Sequence, residues 1–122
     1  MGYEQEGVWQ YEFDEFIELT ERDDQNLVVI DVREIEEYVE GHIPGVPLIP
    51  MGEIVYMIDK FKRDQHYIFI CRSGRRSHEV AKFFKANGFE HVSNYAGGML
   101  AWRGALASGE EKVVKDVSEL YN

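Results

Sequence analysis

A single cysteine, Cys71, closes the apolar run "YIFI" at 67–70 and is followed by Arg72, Ser73, Gly74, Arg75, Arg76 and Ser77. In a chain of net charge −10, three arginines beside a thiol invert the local background. Such a cluster suits chemistry on or by an anion. A chain that leaves a buried strand and turns at once into a helix directs several backbone N–H groups into one concavity. If the Cys71 sulfur lies at its centre, the amides, the helix dipole and the nearby arginines all favour thiolate over thiol. Gly74 permits the tight turn. Ser77 either donates its hydroxyl to the same anion or caps the helix. An inert core thiol is the other reading of a lone cysteine after an apolar strand, but it gives the clustered arginines and Gly74 no reason to be there. Arg72 or Arg75, taken singly, also fits an ordinary solvated position.

With one cysteine there is no internal disulfide, no resolving thiol and no cysteine-based metal cluster, so chemistry at Cys71 must resolve through another molecule. His66, His78 and His91 have no metal-like spacing with one another or with Cys71, and neither metal nor organic cofactor is expected. Asp and Glu outnumber Lys and Arg by 23 to 13, which opposes binding to nucleic acid or to anionic lipid. The opening "MGYEQEGVWQYEF" lacks the basic region and apolar run of an export signal, and no stretch is long enough to span a bilayer. The expected location is the cytoplasm.

The elements that must position Cys71 are legible as hydrophobic patterns. "NLVVIDVR" at 26–33 and "HYIFIC" at 66–71 read as buried strands, with "FEHVSNY" at 89–95 a weaker third. Helical spacing joins Phe13, Phe16, Ile17 and Thr20, then Ile54, Met57, Ile58 and Phe61, then Val80, Phe83 and Phe84. Gly41 and Gly88 stand where left-handed helix stops are wanted. Alternating strands and helices predict an α/β domain with a largely parallel sheet. Its site would lie beyond the carboxyl ends of the strands, an edge that Asp31 and Cys71 would share. "GHIPGVPLIP" at 41–50 should be an ordered loop with Leu48 and Ile49 in a short strand. Residues 108–122 are expected as a peripheral helical extension. All 122 residues fit one domain.

The sequence resembles the rhodanese-like sulfurtransferases from about Val8 to Ala107, through "IDVRE" at 30–34, "GHIPG" at 41–45, "CRSGRRS" at 71–77 and "GGMLAW" at 97–102. The resemblance implies a single rhodanese-like α/β domain with a mainly parallel central sheet flanked by helices. It makes Cys71 the nucleophile. The thiol would attack the outer sulfur of thiosulfate or a related donor, release sulfite, and hold a persulfide until a thiol, cyanide or a protein acceptor removes it. The amides of Arg72 through Arg76 would cradle that persulfide, Arg76 would close the loop, and Arg72 would hold the sulfonate oxygens. Arg75 occupies a position that varies in the family. Asp31 and Arg33 would support the site structurally, while by themselves they also read as a helix N-cap and a surface ion pair. Glu34 fits a first helical turn. His42 invites assignment as a general base, but a preformed thiolate needs none, and a structural histidine is preferred. Gly97 and Gly98 would start the last helix, with Trp102 in the core.

Phosphatases of related fold carry a cysteine, five residues and an arginine. Here four residues separate Cys71 from Arg76, and Ser77 takes the phosphatase arginine position. The smaller ring suits one sulfur atom better than a phosphoryl group. Mercaptopyruvate enzymes of the family typically have an uncharged loop, whereas the arginines here suit the thiosulfate dianion. Besides a phosphatase or arsenate-reductase-like enzyme, the remaining alternative is a noncatalytic interaction module or persulfide carrier. Interaction modules of the family usually have the cysteine replaced, so retention of Cys71 and its arginines argues against that reading, whereas a persulfide carrier would keep the cysteine.

Overall fold

The computed structural model describes residues 2–22 and 26–121. Its centre is a five-stranded sheet in the order β1-β2-β5-β4-β3. The strands are β1 (Tyr3–Gln5), β2 (Val8–Tyr11), β3 (Leu27–Asp31), β4 (His66–Ile70) and β5 (Val92–Tyr95). All neighbours run parallel except β1 and β2. Those two form a hairpin closed by Glu6 and Gly7, both at positive φ, the backbone that suits a two-residue turn to the twist of its strands.

Strand β4 lies between β3 and β5, and Tyr67 through Ile70 are all buried. Because side chains alternate across a strand, Tyr67 and Phe69 enter one core with Val80, Ala81 and Phe84 of helix α4 (Arg75–Ala86). Ile68 and Ile70 enter the other with Phe16 of helix α1 (Phe13–Thr20). Covered faces explain the uninterrupted apolar runs. Helix α2 (Ile35–Glu40) follows β3, and α3 (Met51–Ile54) passes directly into a 3-10 turn at Val55–Lys60. Helix α5 (Gly98–Ala101) follows β5.

Several expectations are corrected here. The apolar spacing at 54–61 is divided between the end of α3, the 3-10 turn and Phe61, and is not one α-helix. Leu48 makes single bridges, to Asp31 and Val113, and forms no strand with Ile49. Gly88 has the left-handed conformation expected of a helix stop, but Gly41 is extended, with φ 179°. The hairpin strands β1 and β2 were not legible, being only three and four residues long, with β1 exposed throughout. Residues 108–122 contain no α-helix among those described: Val113 bridges Leu48, Val114 and Val117 are buried in the core, and a 3-10 turn follows at Val117–Tyr121.

Candidate active site

Cys71 is the first residue beyond β4 and is completely buried. Its Sγ accepts the Gly74 N–H at 3.1 Å and the Ser77 hydroxyl at 3.3 Å. Ser77 therefore serves the sulfur, and Gly74 occupies the N-cap of α4 without a side-chain cap. Gly74 has φ +91°, and a Cβ there would lie 2.0 Å from the Ala96 carbonyl oxygen, so no other residue fits this turn unstrained. On the opposite side, Met99 and Leu100 donate their amides to the carbonyls of Cys71 and Arg72 at 2.9 and 3.0 Å. That close approach requires Gly98, at φ +58°, where a Cβ would meet the Arg72 oxygen at 2.4 Å. The "GGMLAW" segment is thus a clamp on the cysteine loop.

The clamp holds the loop's carbonyls while leaving its donors free. Among the described residues, the amides of Arg72, Ser73, Arg75 and Arg76 have no hydrogen-bond acceptor. The arginines divide by role. Arg76 is fixed by Glu37 of α2 through paired bonds at 2.8 and 2.9 Å. The same carboxylate accepts the Glu34 N–H in a capping box, so Glu34 is the N-cap of α2 rather than part of its first turn. The Arg76 bond, against the opposing effect of burial, holds the Glu37 carboxyl down at about 2 and raises the Arg76 pKa in return. Arg72 and Arg75 are exposed, and the ion pairs of the described residues include neither.

Asp31 and Arg33 form neither an N-cap nor a surface pair. Both are buried; Arg33 Nε and Nη2 bond the carboxylate at 2.8 to 3.1 Å, and Nη2 also reaches the Gly41 carbonyl at 2.9 Å. The pair joins the end of β3 to the end of α2. His42 is buried and stacked on Tyr38, ring centroids 3.7 Å apart. Its nitrogens face the Tyr38 carbonyl and Glu111 Oε1, each at 2.9 Å, and that contact lowers the Glu111 pKa. Both nitrogens are engaged away from Cys71. Trp102 is half-buried against Phe13 and Phe16.

Sequence patterns did not single out the polar groups behind the loop. Asn94 of β5 donates to the Gly74 carbonyl, and Gln10 of β2 and His78 of α4 continue the contacts outward to Glu6. Polar residues inside short strands were the available signal. Glu6, His78 and Glu79 bring potential ligand atoms within 4.8 Å of one another, but the Lys82 ammonium already lies 3.1 Å from Glu6 and 3.5 Å from Glu79. A lysine supplies the positive charge there. A cavity of about 650 Å³ between the hairpin and the loop is lined by Glu6, Gln10, Ser73, Arg75, Arg76 and His78, among others. A larger one, about 870 Å³, runs along Leu27–Val29 and residues 43–47 and includes no residue of the cysteine loop, so only the smaller of the two borders that loop.

Residues 13–105 match the family model of the rhodanese-like domain. The chain is 48% identical over 81 residues to "Putative sulfurtransferase YtwF" of Bacillus subtilis, an alignment spanning 66% of this chain and 78% of the relative. It is 31% identical over 90 residues to the thiosulfate sulfurtransferase GlpE of Pseudoalteromonas translucida, covering 74% and 86%. The crystal structure of a rhodanese-like domain protein from Staphylococcus aureus superposes with a TM-score of 0.72 at 32% identity, over 82% of this chain and 97% of that one.

Proposed function

The chain belongs to the rhodanese-like domain family, and from that premise we propose that it moves the outer sulfur of thiosulfate through a Cys71 persulfide to a thiol or cyanide acceptor. The observation that carries this reading is the ring of free amides on the loop whose Gly74 N–H and Ser77 hydroxyl already point at Cys71 Sγ. Such donors stabilise negative charge on the bound sulfur and, after transfer, on the outer sulfur of the persulfide.

In the loading step the Cys71 thiolate attacks the outer sulfur. A new Sγ–S bond forms, the S–S bond of thiosulfate breaks, and sulfite leaves with its electron pair. In the unloading step an acceptor thiolate attacks that outer sulfur and the pair returns to Cys71. Arg72 and Arg75, exposed and outside the ion pairs of the described residues, are the cations open to the sulfonate. Arg76 is committed to Glu37 and holds the loop. Full burial of Cys71 and the short loop favour a single terminal sulfur over a phosphoryl group. Chemistry of this kind asks for no metal or organic cofactor.

Intact mass after incubation with thiosulfate tests the reading. The expected result is a gain of one sulfur that cyanide removes and that a folded Cys71→Ser protein never acquires. No gain on folded, reduced protein, or an equal gain on Cys71→Ser, would overturn it.

A further inference from the structure

We propose that His78 is a positioning residue for the cysteine loop, acting through Gln10 and Asn94 on the Gly74 carbonyl. The proposal rests on the sulfur-transfer reading for its kinetic consequence. The three residues are only 6%, 2% and 1% exposed, so their hydrogen bonds are not interchangeable with water.

A carbonyl oxygen can only accept. The 2.9 Å contact to Gly74 O therefore requires that Asn94 present its Nδ2 there. That Nδ2 also lies 2.8 Å from Gln10 Oε1, which places the Gln10 Nε2 toward the Val8 carbonyl at 3.2 Å and His78 Nδ1 at 2.9 Å. Nδ1 must then accept, so the proton sits on Nε2 and is donated to Glu6 Oε1 at 2.9 Å. Lys82 binds the other Glu6 oxygen at 3.1 Å. One backbone carbonyl thus dictates two amide orientations and a tautomer. Asn94 Oδ1, buried without a hydrogen-bond partner among the described residues, reflects this constraint. Flipping the amide would set that oxygen against two acceptors.

The chain ends where the chemistry begins. Gly74 supplies an N–H to Cys71 Sγ, and its carbonyl also accepts the His78 N–H at 3.2 Å. In a trans peptide the N–H points opposite to the C=O. Holding the Gly74 oxygen along the helix direction therefore holds the free Arg75 N–H back toward the loop. Glu6, at the other end, lies in the turn of the β1–β2 hairpin, outside residues 13–105 matched by the family. The hairpin thereby acts as a brace for the loop.

The test combines kinetics with a spectroscopic readout. The imidazole ¹⁵N spectrum of His78 in the intact protein should show the neutral Nε2–H tautomer; an Nδ1–H tautomer would overturn the proposal without any variant. His78→Leu should slow sulfur loading from thiosulfate about tenfold in kcat, the effect of losing one buried hydrogen bond in a positioning chain, with KM nearly unchanged. His78→Asn, whose Oδ1 can replace the Nδ1 acceptor, should recover most of the rate. Iodoacetamide alkylation of Cys71, which needs no sulfur donor, should show the same ranking. Equal rates in wild type and His78→Leu, or no recovery in His78→Asn, would overturn the proposal. Failure of wild type to take sulfur from thiosulfate would defeat the proposed function, while the alkylation ranking would still decide the role of His78.

Discussion

Within the cysteine loop, residues of one type have different tasks. Arg76 is neutralised by Glu37, whereas Arg72 and Arg75 project into solvent. On the proposed function, replacing an exposed guanidinium would weaken donor binding without moving the sulfur. Arg72→Ala is expected to raise KM for thiosulfate roughly tenfold while kcat changes by no more than about twofold; steady-state kinetics on thiosulfate check this, and a fall in kcat alone would contradict it. The types and spacing at 71–77 made this cluster visible before folding, because a lone thiol among arginines is chemically conspicuous. The division of labour among the arginines was not visible. It depends on Glu37, far along the chain and ordinary among many acidic residues.

At the scale of elements, the arginine–carboxylate pair ties the start of α4 to the start of α2. Glu37 ordinarily titrates near 4.5 and is held at about 2 in the folded chain, chiefly by its hydrogen bond to Arg76. A lowered carboxylate value stabilises the fold above the ordinary value, and that contribution is lost as pH falls through the folded one. The urea midpoint should therefore decline between about pH 4.5 and about pH 2, and more shallowly in Glu37→Gln than in wild type. Glu6, Glu111 and Asp116 are lowered too, so a decline remains in the variant. Identical slopes would remove the pair from this account. Strands β3 and β4 and helix α4 were legible because buried β-branched runs and helical apolar spacing carry strong periodicity. The hairpin was not, since Tyr3–Gln5 is exposed along its length and gains its order from pairing with Val8–Gln10.

For the whole molecule, the tail is part of the core. Val117 is 2% exposed and packs in the same cluster as Phe84. Val117→Ala should destabilise the protein by about 2 kcal/mol, as expected for methyl groups lost from a packed interior; a change below about 0.5 kcal/mol in chemical denaturation would place the tail on the surface. Local composition by itself determined the α/β class, the buried central strands, and the cysteine with its tight, arginine-rich turn. Each of these is a short-range pattern of polarity, size or backbone freedom, readable in a window of a few residues. Only the tertiary structure decided that Asp31 and Arg33 are buried, that Glu37 takes Arg76, that Val114 and Val117 close the core, and that Gln10, Asn94 and His78 meet behind Gly74. These are pairings between distant segments, and a polar side chain does not carry in its own neighbourhood the identity of the partner that will satisfy it.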